Sequence, residues 1–483
     1  MAKHSSDSMI AALVMQLVSK YSNVAVHLVV TMVLSRMLTP EEFGTAAIVT
    51  VFTSFFSIIA DVGISTAIIQ YKDLAKRECD ALFFLSVVVG IVLAAVFCLL
   101  SWPISLIYKD AELVRLCCVA SLSVLFYSAN MAPNGVLLRD RRFASVSVRL
   151  VFASIFSGVL AIALTSRGFG SYALVWQAVA SAAVVLIWNW FASGLRLDNP
   201  HFMEPLKKVW RYSIFQAGFS TINYFARNLD NLLVGAFIGR AQLGQYDKAY
   251  KLMGYPLTYL TGVFSDVLQP FLSEYQADRR KLYEHWLSIC RVLALAGMLV
   301  TAVFVCFPKE IVLVMYGDQW LHAVPVVATL GLSVGIQMVN STSGAIFQSA
   351  GRTDALFKSG IVCTCVSLVA ILAGVASRDI AILGLCVSIA YAMHFCVTAH
   401  LLVNKVLGMN ALSFLRCFLP SSAAAVTSIM VSMGAASLTS NASWTVGLLL
   451  RSLACIASYS FVTWVTGEWK CLKAFREMKR LGS

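Results

Sequence analysis

The residues able to do chemistry stand inside long apolar stretches. Lys20, Asn23 and His27 share one such stretch with Gln16 and Thr31. At 100° per residue they fall within a stripe of about 80° on a helix. Gln216, Ser220, Asn223, Arg227 and Asp230 form a second one-sided stripe in a later stretch. Gln337 precedes the run Asn340-Ser-Thr-Ser343 by one turn, and Asn130 and Asn134 mark a similar place earlier. Two polar stripes at equivalent places suggest a water-filled cleft, in which Lys20 and Arg227 would face an anionic substrate. Two other readings stay open. Lys20 and Arg227 can snorkel to headgroups, or Arg227 can pair with Asp230 at i,i+3. The carboxylates Asp61 and Asp266 read either as carriers of a coupling H⁺ or Na⁺, or as structural partners of Lys20 and Arg227.

Other ionisable groups have plainer readings. Arg149, Arg291 and Arg416 lie near the ends of apolar stretches, where snorkelling explains them. Arg451 fits headgroups or ligand equally. His394 and His400 are six residues apart, a spacing that puts no metal pair on one helix face. The 13 cysteines show no CxxC pair, so small-residue packing accounts for them and no metal is expected. No GxxxxGK[ST] or HExxH motif occurs, and no loop is long enough for a catalytic domain. An enzyme is therefore not expected, and no cofactor is called for.

The elements that must position these residues are membrane helices. Hydrophobic residues make up 59% of the chain and charged residues 13%, with a mean hydropathy of +0.79. These values place it among integral membrane proteins. A span needs about 20 apolar residues. About fourteen stretches qualify on that measure: 10–37, 44–70, 79–105, 113–137, 146–166, 169–193, 211–238, 244–273, 285–307, 322–348, 358–376, 380–403, 412–436 and 444–466. Several exceed the bilayer's need, which implies tilt or protrusion. No signal cleavage site follows the first stretch, so it is expected to remain as a helix.

The loops carry the topology. Lys72, Lys76 and Arg77, then Arg139, Arg141 and Arg142, then Arg196, Lys207, Lys208 and Arg211, then Arg279, Arg280 and Lys281 occupy every second loop. The intervening loops hold only single or paired cations such as Arg36, Lys109, Arg167, Lys309 and Arg378. Basic residues near helix ends stay cytoplasmic. Both termini are expected in the cytoplasm and the number of spans is expected to be even. The net charge of +13 follows from these loops facing anionic lipid, and nucleic acid is not an expected partner.

The polar run 195–210, with Pro200 and Pro205, reads as a cytoplasmic linker. It separates a six-helix bundle at 1–194 from a second at 211–405. An extra helix pair at 412–466 and a basic tail at 467–483 complete the expected layout. A shift of 200 residues pairs Gln16 with Gln216, Asn23 with Asn223, His27 with Arg227 and Gly44 with Gly244. The halves then form a parallel repeat about an axis along the membrane normal.

At its helix ends the chain resembles a known family. "LSRMLTPEEFGTAAIV" (34–49) and "ADVGISTAIIQ" (60–70) look like the start of bacterial polysaccharide transporters. "NYFARNLDNLLVGAFIGRAQLGQYDKAYKL" (223–252) looks like the start of their second half. These transporters, the Wzx-type flippases, belong to the multidrug/oligosaccharidyl-lipid/polysaccharide exporter superfamily. The resemblance implies an all-α polytopic protein with two pseudo-symmetric bundles, a cation-lined cavity and alternating access. Its cargo would be an undecaprenyl-diphosphate-linked oligosaccharide, moved across a bacterial inner membrane for surface or exopolysaccharide synthesis. Lys20 and Arg227 would be counter-charges for the diphosphate. Asn23, His27, Asn223, Asp230, Gln337 and Asn340 would line the cavity. Polysaccharide polymerase and chain-length machinery are the expected protein partners. The alternative within the same fold is an ion-coupled multidrug exporter, which a cationic cavity disfavours.

Overall fold

The computed structural model describes residues 2–60, 64–71, 74–197, 224, 225, 227–276, 278–438 and 444–469. For residues 2–17, 263–271 and 444 it describes the backbone alone. Within these residues the ordered structure is helical throughout, as the apolar stretches predict.

The first helices are α1 (Ala2–Met37), α2 (Pro40–Ala60), α3 (Ile64–Gln70), α4 (Lys76–Tyr108), α5 (Glu112–Ala129), α6 (Met131–Arg139), α7 (Phe143–Ser166) and α8 (Ser171–Ser193). They are followed by α9 (227–237), α10 (Arg240–Ser273), α11 (Arg279–Cys306), α12 (Pro308–Met315), α13 (Val324–Gly331), α14 (Val334–Asn340) and α15 (Ser343–Ser349). Last come α16 (Thr353–Ala376), α17 (Ile380–Thr398), α18 (Ala411–Arg416), α19 (Leu419–Leu438) and α20 (Trp444–Val465). Ten helical stretches among the described residues are long and apolar enough to cross a bilayer. An eleventh is the pair Asp318–Gly331 and Val334–Ser349, bent by 47°. α1 and α10 are not among them. α1 opens on the polar run "AKHSSDS", and α10 carries Arg240, Asp247, Lys248, Lys251 and Asp266.

The helices gather into two compact units. One comprises Met1–Gly244 with Met315–Gln319, and the other Gln245–Val314 with Trp320–Ser483. In the first, α4 lies along α5, α1 along α7, and α8 packs on both α5 and α7. Its core includes Ile68, Leu82, Phe83 and Ala132. In the second, α16 pairs with α17 and α19 with α20, while α11 packs on α14 and α19. Met298, Ala302, Ala425, Cys455 and Tyr459 belong to its core. Leu99, Phe191, Leu453 and Trp464 are more than 60% exposed on their helices. Such apolar outer faces suit hydrocarbon as solvent.

Breaks in the spans have local causes. α5 ends at Asn130 and α6 resumes with Pro133 in its first turn, where the missing N–H costs nothing. α14 ends where Ser341, Thr342 and Ser343 each donate to the carbonyl three residues back. That local bonding competes with continuation of the helix. At the start of α2 and α10, glycine permits unusually close approach. A Cβ on Gly44 would overlap the Arg240 carbonyl, and one on Gly244 would overlap that of Pro40. These two glycines are also the pair matched by the 200-residue shift.

Candidate functional site

In the first unit, Lys20 on the α1 stripe is exposed, and Gln16 before it lies outside the described side chains. Asn23, half-buried, accepts a hydrogen bond at Oδ1 from Ser154 on α7. This bond ties the stripe to the helix that α1 packs against. His27 is exposed, with its Nδ1 3.4 Å from the Thr31 hydroxyl one turn on. On α9, Arg227 is exposed and Asp230 buried, the Asp230 carboxylate accepting the Asn231 N–H at 2.8 Å. Asp61 and Asn223 lie outside the described residues, as does the side chain of Asp266.

Arg149 departs from the snorkelling expectation. It is 4% exposed and donates to Asn189 at 2.5 Å and to Asn134 at 3.3 Å. Asn189 in turn donates to Asn130 at 2.7 Å. The guanidinium thus knots α6, α7 and α8 together through amide oxygens, and the break after α5 places Asn130 in the same network. Its Nε is buried without a hydrogen-bond partner. Headgroup contact would have left the Asn134 and Asn189 amide oxygens without this donor inside the bundle, which is costly. Arg451 also resolves inward. It pairs with Glu310 at 3.1 Å, donates to the Cys306 carbonyl at 3.0 Å, and sits over the Phe307 ring.

At one end of the first unit, Arg240 pairs with Glu41 at 2.7 Å and with Asp110. Thr39 caps α2 reciprocally with Glu42, whose carboxylate takes the Thr39 N–H at 2.7 Å. Gln319 reaches the α1 terminus, donating to the carbonyls of Ser35 and, at 2.8 Å, Leu38. These contacts cluster around the close Gly44–Gly244 approach.

In the second unit, Gln337 donates to Ser333 at 2.9 Å and to the Met253 sulfur at 3.3 Å, joining α14 to α10. The Asn340 Oδ1 is buried with no hydrogen-bond partner. Trp286 donates to Thr342 at 2.9 Å. His394 is structural, its Nε2 2.7 Å from the Cys363 carbonyl and 3.2 Å from Ser367.

α10 adds residues that the polar stripes do not include. Gln245, Asp247 and Lys248 are each less than 10% exposed. Lys248 lies 5.3 Å from the centre of the Trp320 ring. Asp247 holds Lys251 at 2.6 Å, and Tyr250 meets the Tyr391 hydroxyl at 3.1 Å. The i,i+4 spacing of Asp247 and Lys251 was a legible signal.

Known proteins align with this chain over most of its length. The sequence profile of a family described as "Polysaccharide biosynthesis protein" matches residues 33–325. The chain is 24% identical over 326 residues to "Teichuronic acid biosynthesis protein TuaB" of Bacillus subtilis, covering 67% of this chain and 68% of that one. It is 22% identical over 354 residues to "Lipopolysaccharide biosynthesis protein WzxC" of Escherichia coli, covering 73% and 72%. In fold it is similar to "Lipid II flippase MurJ, inward closed conformation", with a TM-score of 0.73, 13% identity, and coverage of 94% and 98%.

Proposed function

This chain belongs to the polysaccharide biosynthesis protein family, and from that premise we propose that it is a flippase for undecaprenyl-diphosphate-linked oligosaccharide. It carries the cargo from the cytoplasmic to the periplasmic leaflet for surface or exopolysaccharide assembly. The observation that carries this reading is the family match over residues 33–325 on a fold similar to a lipid II flippase over 94% of the chain. The function is transport, not catalysis.

The finer architecture is part of the proposal. Fourteen spans follow if α1, the segment 211–238 and α10 cross the membrane along with the apolar helices. They would form bundles at 1–194 and 211–405, joined by the linker 195–210, with the pair 412–466 added. Both termini would lie on the cytoplasmic side of the inner membrane, as the basic loops require. Polymerase and chain-length machinery would take the product.

A diphosphate leaving headgroup water needs compensating charge, because desolvating it alone is very costly. Lys20 and Arg227, both exposed on their helices, are the cations assigned to it. Asn23, His27, Asn223, Asp230, Gln337 and Asn340 complete the lining, and Asp61 or Asp266 couples an ion. Alternating access then exposes this lining to one leaflet at a time. The test is deletion of the gene in its native strain. Surface polysaccharide should fall and lipid-linked oligosaccharide should accumulate. Unchanged polysaccharide with no accumulated intermediate would overturn the reading.

A further inference from the structure

α10 carries a face that hydrocarbon cannot solvate. Lys251, Gly254, Tyr255, Thr258, Tyr259 and Gly262 follow at i, i+3, i+4, i+7, i+8 and i+11, which is one side of a helix. Lys251 and Thr258 are exposed and the other four half-buried. A Cβ on Gly254 would meet no atom within 4 Å. The rings of Tyr255 and Tyr259 stack with centroids 6.0 Å apart and planes at 17°. At 1.5 Å per residue, Lys251 lies about 17 Å from the start of the helix and Tyr259 about 28 Å. The face therefore falls within bilayer depth if α10 spans. A charge there costs roughly 2.5–3.5 kcal/mol against lipid, and open hydroxyls add to that. On the opposite side of the helix stands Leu260, 45% exposed, a residue suited to lipid.

We propose that this face of α10 holds the sugar units of the cargo, which rests on the flippase reading above. Two neighbouring tyrosine rings offer flat apolar surfaces to pyranose C–H groups, and their hydroxyls serve as polar handles. The glycine at 254 leaves the helix backbone open to a bulky ring. Thr258 and the Lys251 ammonium supply hydrogen bonds to hydroxyls. Asp247, buried, holds that ammonium in place. Aromatic residues at helical spacing usually signal packing. Here the space beside Gly254 is open, and the polar companions share the face.

Photocrosslinking in the native strain tests this directly. p-Benzoylphenylalanine is placed at Thr258 or at Leu260, cells are fed radiolabelled glucose, and the purified protein is assayed for label after illumination. Thr258 should capture sugar-labelled lipid about ten-fold above Leu260. The Y255A/Y259A double variant should lower polysaccharide export about ten-fold at normal protein level, while Y255F/Y259F, which keeps the rings and loses only the hydroxyls, should lower it about three-fold or less. Crosslinking leaves both tyrosines in place, so it does not depend on the alanine variant folding. Equal or absent labelling at Thr258, in a strain whose deletion abolishes export, would overturn the α10 site and leave the flippase reading intact. Normal export in the deletion strain would remove the flippase reading, and the α10 site with it.

Discussion

Single side chains here have two kinds of work. Arg149 is a fastener: its guanidinium satisfies the buried Asn189 and the half-buried Asn134. Arg149→Met should leave those amides unpaired and lower stability by about 1–3 kcal/mol. Thermal unfolding of the purified protein would register the loss, and an unchanged midpoint would refute the fastener role. Lys20 and Arg227, by contrast, are exposed, so truncating them should spare folding. Lys20→Ala and Arg227→Ala are each expected to cut polysaccharide export strongly at wild-type protein level. Arg227→Lys should retain part of it, since the charge survives and the bidentate fork does not. Asp61→Asn and Asp266→Asn belong in the same export assay, where normal rates in both would end their coupling role. Export preserved in both alanine variants would dismiss the cationic-cavity proposal while leaving the family assignment standing.

At the level of elements, the close approach of α2 and α10 is the sharpest constraint. Backbone carbonyls cannot swing aside as flexible side chains can, so a methyl group at Gly44 or Gly244 must push the helices apart. Overpacking of this kind typically costs about 1–3 kcal/mol. The Arg240 pairs with Glu41 and Asp110 would be strained by the same movement. Gly44→Ala and Gly244→Ala should each reduce export or folded yield, whereas Gly434→Ala, which has open space around its Cβ, should do neither. Equal behaviour of all three in export and yield assays would show that the contact carries no weight. The shift of 200 residues had matched Gly44 with Gly244. Their contact could not be inferred from the match, because a repeat specifies equivalence and not proximity.

For the whole molecule, the alternating basic loops make a topology that reporters can read. Fusions after Arg77, Arg141, Lys207, Arg280 and Arg352 should report cytoplasm. Fusions after Pro40, Lys109, Arg167, Lys309, Arg378 and Thr439 should report periplasm. Two neighbouring loops on one side would break the fourteen-span layout. The fusions after Lys207 and Arg280 are the most informative, since both should report cytoplasm only if the segment between them, including 211–238, crosses an even number of times.

The all-helical membrane class was legible in the sequence because apolar length and loop charge are local quantities set by the bilayer as solvent. Family membership was equally legible, in the helix-end segments 34–49 and 223–252, whose turn chemistry is also local. Side-chain partners were not. Arg149 and Arg416 look alike along the chain, each near the end of an apolar stretch. One is buried against Asn189 and the other is exposed. Asn189 lies 40 residues from Arg149, and only the antiparallel packing of α7 on α8 brings them together. Likewise Arg451 meets Glu310, 141 residues away, through tertiary packing that also sets it against the Cys306 carbonyl at the end of α11. Burial and pairing depend on which helix faces which, and that is decided by long-range packing, to which hydropathy is blind.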